Sequence, residues 1–235
     1  IIYNYQHNRG RASALRKSIL NCDAEFLMLL DSDDYFEKQG LQNIYKSINE
    51  NSSTRFFVFP ITVKKNFKFI NIVLSGIPKT SYISLRSDYK IKYDLQEVIQ
   101  KKLLLEILYD DPGKIRRIPT SYLWFKASQK EKCMPVDTIP VKVKEYLSDG
   151  MSKNLLPFKV YYPKYLVELY LIALNSKDYR SFFYRIKCKV LFYRYSFHNK
   201  TFKLYKIRDF PFYLVGFVVG LSDIVRLGMF FEKKL

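Results

Sequence analysis

The chain has 235 residues, with 40 Lys or Arg against 22 Asp or Glu and a formal charge of +18. Hydrophobic residues make up 48% and aromatic residues 17%, which excludes a disordered or collagen-like chain and leaves ample material for a core. Cys22, Cys133 and Cys188 are far apart and form no CxxC pair, which argues against a disulfide framework or a thiolate zinc site and fits a reducing cytosol. The charge alone admits nucleic acid, an anionic membrane surface, or merely the Lys-, Asn-, Ile-, Tyr- and Phe-rich composition of an AT-rich genome.

In chain order, Ile1-Ile2-Tyr3 reads as a short buried strand leading into a polar loop that ends at Gly10. Asn4, Gln6, His7 and Arg9 break the apolar run at once, so no signal peptide is expected, and a chain opening inside a strand reads as a fragment. Ala12, Leu15, Ile19 and Cys22 recur at helical spacing over residues 11–22. The apolar run Phe26-Leu27-Met28-Leu29-Leu30 has strand length, and such runs belong to parallel sheets buried on both faces. It ends in Asp31-Ser32-Asp33-Asp34, after which Leu41, Ile44, Tyr45 and Ile48 predict a second helix. Alternation of strand and helix predicts an α/β fold.

Residues 55–63 predict one strand, with Pro60 favouring an edge or a bulge. Residues 64–93 read as loops and short strands. Leu95, Val98, Ile99, Leu103, Ile107 and Leu108 predict a helix over 94–109, broken by Asp110-Asp111-Pro112-Gly113. A helix containing Trp124 is expected over 119–128, an alternating strand over 139–146 and an apolar helix over 163–174. Residues 177–208 interleave Lys and Arg with aromatics, and 211–231 are strongly apolar apart from Asp223 and Arg226.

The acidic cluster is the sharpest chemical signal. Carboxylates crowded on one turn repel unless a cation lies among them, and oxygen-only ligands suit Mg²⁺ or Mn²⁺ carrying a substrate's phosphates. The plain alternative, an Asp capping the next helix, explains one of the three but not all. Ligands of open α/β sheets bind beyond the carboxyl ends of strands, where this cluster stands. An EF-hand loop is excluded because Tyr35 occupies a ligand position. His7 and His198 have no partner at metal spacing, and no P-loop, GxGxxG or GxSxG occurs.

The stretch Asn8-Arg9-Gly10-Arg11-Ala12-Ser13-Ala14-Leu15, followed by a buried strand and Asp31-Ser32-Asp33-Asp34, resembles family 2 glycosyltransferases of the GT-A fold. Arg16 and Ser18 depart from the Asn and Gly usual there. Pro119 to Trp124 and Glu145 to Ser152 resemble that family's P-E-x-x-x-W and E-Y-L-x-D-G elements, so the likeness covers roughly 1–155. It implies a Rossmann-like mixed sheet flanked by helices, and inverting transfer of a sugar from a nucleotide-diphosphate sugar to an acceptor hydroxyl. It implies that Asp33 or Asp34 holds the metal and that Asp31 lies near the ribose, with Gly10 and Arg11 toward the nucleotide. A solvated Arg11 is the plain alternative.

An inverting transfer needs a general base, and in the enzymes that the Pro119–Trp124 element resembles a carboxylate stands where this chain has Thr120. Asp110 and Asp111 are the nearest substitutes, against the reading of a solvated loop. Asp149 needs no more than a turn before Gly150.

The expected organisation is a GT-A domain over 1–155 lacking its first strand, then a basic helical region over 156–235. From Pro211 to Leu221 the apolar run falls short of the ~20 residues that cross a bilayer, so the tail reads as lying on the cytoplasmic, anionic face of the membrane. A soluble packing helix is the alternative. The partners expected are a nucleotide-sugar donor and a cell-surface or lipid-linked glycan acceptor, with no nucleic acid. A non-catalytic sugar-nucleotide or glycan-binding module is the competing function. An RNA-binding protein ranks last, since it leaves the acidic cluster without a role.

Overall fold

A computed structural model describes residues 3, 5–65, 68–145, 155–204 and 206–232. These form two compact units. One comprises Lys17–Leu108 and Ala127–Lys153, the other Ile1–Arg16, Tyr109–Lys126 and Asn154–Leu235. Helices α1 (Arg11–Asn21) and α5 (Thr120–Ser128), both anticipated, contribute residues to each.

The first unit holds two four-stranded mixed sheets. In one, β1 (Phe26–Met28), β6 (Gln96–Gln100), β3 (Phe56–Phe59) and β7 (Met134–Pro135) lie in the order β1-β6-β3-β7, with only β3 and β7 parallel. In the other, β2 (Asp34–Phe36), β8 (Lys142–Glu145), β4 (Thr62–Lys65) and β5 (Lys68–Asn71) lie in the order β2-β8-β4-β5, with β4 and β8 parallel. All four β3 residues are buried. On one face Phe57 and Phe59 pack with Val98, Val136, Val141 and Ile44 of helix α2 (Gly40–Glu50).

Several expectations are corrected here. The segment predicted as a single strand over 55–63 is two, since Pro60 has no N–H for the ladder and the chain changes sheets there. The helix predicted over 94–109 begins as β6, in which Val98 faces Phe57 on one side and Met28 on the other. Only Lys101–Ile107 is helical, as α4. The β-branched pair Val98-Ile99 and a place between two strands override the helical spacing. Within 64–93 a short helix α3 (Tyr82–Ser87) is buried, its start capped by Ser81, whose hydroxyl accepts from the Ser84 N–H at 3.1 Å. β1 pairs antiparallel to β6 and fully buries only Leu27, not the whole run expected for a parallel sheet. The strand predicted at Ile1-Ile2-Tyr3 and the turn at Ser148-Asp149-Gly150 lie outside the described residues.

The second unit is helical: α6 (Leu155–Tyr161), α7 (Lys164–Asn175), α8 (Phe182–His198) and α9 (Phe210–Glu232). The apolar run judged too short continues through Asp223 and Arg226 as a helix of 23 residues. By length and composition, Ile207–Gly228 is long and apolar enough to cross a membrane.

Candidate active site

The acidic cluster forms a tight turn between β1 and β2. The Asp34 N–H donates to the Asp31 carbonyl at 3.0 Å, which leaves Ser32 and Asp33 exposed at the tip. Asp33 makes no hydrogen bond or ion pair among the described residues. Asp34 behaves oppositely. As the first residue of β2 it lies opposite Lys144 in the β2–β8 ladder, and its side chain is 1% exposed.

Lys142, two residues along β8 on the same face, donates to Asp34 Oδ2 at 2.8 Å. The Lys144 ammonium stands 3.5 Å from Asp31, 3.8 Å from Asp34 and 3.4 Å from Asp94. A buried carboxylate needs such pairing, because its desolvation is otherwise uncompensated. Asp34 Oδ1 still has no hydrogen-bond partner.

In the same unit Tyr82, Arg86 and Glu97 form a buried group. The Arg86 guanidinium donates to the Tyr82 hydroxyl, which donates to Glu97, while Arg86 and Glu97 approach to 4.0 Å. Burial pushes the Glu97 carboxyl up, against the lowering effect of Tyr82 and Arg86, and drives the Tyr82 hydroxyl well above its ordinary value.

The other predicted residues lie in the helical unit. Gly10 has φ +87°, and a Cβ there would sit 2.5 Å from the Arg116 backbone, so this glycine is required by close approach as well as by conformation. Its N–H donates to Asn8 Oδ1 at 3.1 Å, and the Ala12 N–H donates to the Arg116 carbonyl at 3.2 Å. Arg11, half-exposed, begins α1.

The Asp110-Asp111 loop is tied to the same segment. Arg9 donates to both oxygens of Asp111 at 3.2 and 3.3 Å, the Tyr109 hydroxyl donates to the Ala12 carbonyl at 2.9 Å, and Arg16 donates to the Tyr109 carbonyl at 3.2 Å. The Gly113 N–H, at 3.0 Å, together with Arg9 holds the Asp111 carboxyl below the usual carboxylate range. Asp110 is exposed, and Thr120 opens α5. Two residues on, the Tyr122 hydroxyl donates to Glu168 of α7 at 2.6 Å.

Thus Gly10 and Arg11 share one unit with Asp110 and Asp111, while Asp31, Asp33 and Asp34 share the other. Of the Glu145–Ser152 element, only Glu145 is described, paired with Lys64 at 2.9 Å.

Sequence reasoning missed Lys142, Lys144, Asp94 and Arg9. The Val-Lys-Val-Lys alternation of 141–144 signals one cationic strand face. It does not signal that this face closes on a carboxylate more than a hundred residues earlier.

Among the described residues no group of three or more His, Cys, Asp or Glu side chains is placed to hold a metal ion. Magnesium can be held by one or two carboxylates plus substrate phosphates, and Asp33 is an exposed carboxylate at the turn tip. Asp34, enclosed by two lysines, fits a structural anion better than a metal ligand.

Residues 1–99 match the family model described as Glycosyl transferase family 2, which bears out the resemblance read from the Asn8–Leu15 and Asp31–Asp34 motifs. No curated relative matches the chain. Among solved structures, residues 1–349 of S. aureus TarS align with a TM-score of 0.55 at 14% identity, covering 94% of this chain and 62% of that one. The same TarS segment in complex with UDP-GlcNAc aligns with a TM-score of 0.55 at 12% identity, covering 92% and 62%. The fold is therefore that of GT-A glycosyltransferases, with mixed sheets flanked by helices, and the chain spans 62% of these TarS structures.

Proposed function

We propose that the chain transfers a sugar from a nucleotide-diphosphate sugar to an acceptor hydroxyl, with inversion at the anomeric carbon. The observation that carries this reading is the exposed Asp33 at the tip of the Asp31–Asp34 turn, within the segment matched by the family model. The TarS segment of the same fold is found with UDP-GlcNAc, which supports a uridine-diphosphate sugar as the first donor to test.

In this reading the acceptor oxygen attacks the anomeric carbon as the bond from that carbon to the diphosphate oxygen breaks, and the hydroxyl proton passes to a carboxylate. Asp33 would hold Mg²⁺ or Mn²⁺, which when bound offsets the charge developing on the diphosphate. Asp31, whose carboxylate lies 3.5 Å from the Lys144 ammonium, would sit toward the ribose, and Asp34 fixes the turn through Lys142. Gly10 allows the backbone approach that holds the Asn8–Arg11 segment in place. The basic and apolar tail favours a lipid-linked or cell-surface glycan as acceptor.

The test is release of UDP from a panel of UDP-sugars, with Mg²⁺, Mn²⁺ or chelator, by the native chain and by Asp33→Ala. Cation-dependent release lost in Asp33→Ala supports the proposal. Nucleotide-sugar binding with no release under any cation overturns it in favour of the binding module, which the Thr120 substitution also suits. No binding at all overturns both.

A further inference from the structure

Helix α9 has two unlike faces. Toward α8 it presents Gly216, Gly220, Asp223 and Leu227, all buried. A Cβ at Gly216 would sit 2.6 Å from Tyr193 Cβ, and one at Gly220 would sit 2.6 Å from the Phe197 ring, so the glycines bring the two helices into close contact. Asp223, with no exposed surface, accepts from Arg194 Nε at 2.8 Å and Nη2 at 2.6 Å, and His198 Nε2 lies 2.9 Å away. The one acidic side chain in the apolar stretch is thereby turned inward and paired.

The opposite face carries Phe210, Leu214, Val215, Val218, Leu221 and Val225, each 41–62% exposed. From Phe210 to Val225 no charged side chain interrupts it; exposed Arg208 precedes it and exposed Arg226 follows it. Lys200, Lys203 and Lys206, also exposed, lie on the connection that leads into it.

We infer that this face of α9 seats in the headgroup–acyl boundary of an anionic bilayer, with the helix lying along the surface. A contiguous exposed apolar face rimmed by polar residues is the mark of an interaction site. Cations at both of its ends and on the preceding connection complement anionic headgroups, the charge arrangement of an interfacial helix. Spanning is opposed by α8, which packs against α9 through Tyr193, Arg194 and Phe197 and carries Arg185, Lys187, Lys189 and Arg194. Were α9 to cross the bilayer, those cations would enter hydrocarbon with it, at a large cost for each. The inference is independent of sugar transfer.

The test is co-flotation of the full chain with vesicles of phosphatidylglycerol and phosphatidylcholine, compared with phosphatidylcholine alone. Binding to the anionic vesicles is expected, weakening as salt rises. Val218→Glu with Leu221→Glu should abolish it while leaving circular dichroism and thermal melting unchanged, because both positions are exposed. Arg208→Gln should weaken it about fivefold, the effect of one basic side chain near an anionic surface. Depth is read from Leu214→Trp, Val218→Trp and Val225→Trp with brominated lipids, against the buried Trp124. Equal, shallow quenching at all three supports the inference.

A depth gradient from 214 to 225 overturns it in favour of a span. Absence of vesicle binding overturns it outright. Self-association in lipid-free solution that the glutamate pair abolishes, without vesicle binding, assigns the face to a second copy of the chain.

Discussion

Lys142 and Asp34, 108 residues apart, meet across neighbouring strands in a buried ion pair of 2.8 Å, with side chains 6% and 1% exposed. The pair fixes the turn whose tip carries Asp33. Breaking one side of a buried pair strands the other charge. Lys142→Met is therefore expected to destabilise the fold by about 3–5 kcal/mol, and Lys142→Met with Asp34→Leu to recover most of that loss. Urea denaturation of the two variants measures both values.

Asp33 and Asp34 should separate cleanly under mutation. Asp33→Asn touches no partner, so its melting temperature stays within a degree or so of the native chain, as is usual for exposed sites, while cation-dependent UDP release is lost. Asp34→Asn loses its charge against Lys142 and Lys144 and lowers the melting temperature. Scanning calorimetry beside a UDP-release assay distinguishes them.

The Arg9–Asp111 pair sets an expected pH dependence. The backbone N–H of Gly113 and the Arg9 guanidinium hold the Asp111 carboxyl low, so it stays ionised into more acid solution than an ordinary aspartate. If Asp111 takes the acceptor proton, the acid limb of kcat/KM lies below the reference value of about 3.9 for Asp. Arg9→Gln should shift that limb upward, and Asp111→Asn should remove it. A pH–rate profile of the three proteins is the measurement.

Glu97 sets another, of opposite sign. Its carboxyl is pushed up by burial, so the folded chain binds that proton more tightly than the unfolded chain does. The resulting stability is complete below the unfolded value and is lost as pH rises through the folded one. Glu97→Gln cannot ionise. Its melting temperature relative to the native chain should therefore climb as pH increases from about 4.3, the reference for an unfolded Glu. Each kcal/mol appears as about 2–4 °C. Melting curves across that range test the sign.

Local pattern made much of the chain legible. The helical spacing of Ala12, Leu15 and Ile19, the Trp124 helix, the 163–174 helix and the strand at 142–145 need only their own residues to specify them. The Asn8–Leu15 and Asp31–Asp34 motifs were likewise legible, because backbone geometry and crowded charge restrict which residues a turn accepts. Gly10 is the clearest instance, with a positive φ and the Arg116 backbone leaving no room for a side chain.

Tertiary structure alone decided the rest. Residues 96–100 carry helical spacing, yet pairing on both edges makes them a strand, since two ladders and the contact with Phe57 outweigh local propensity. The difference between Asp33 and Asp34 is equally invisible in four consecutive letters. It arises because β2 pairs with β8 in the register that places Lys144 opposite Asp34 and Lys142 within reach, turning one carboxylate inward and leaving its neighbour exposed. The +18 charge could not say where the apolar tail faces. The α8–α9 contact does so, by turning Asp223 inward onto Arg194 and leaving an uncharged face between Arg208 and Arg226.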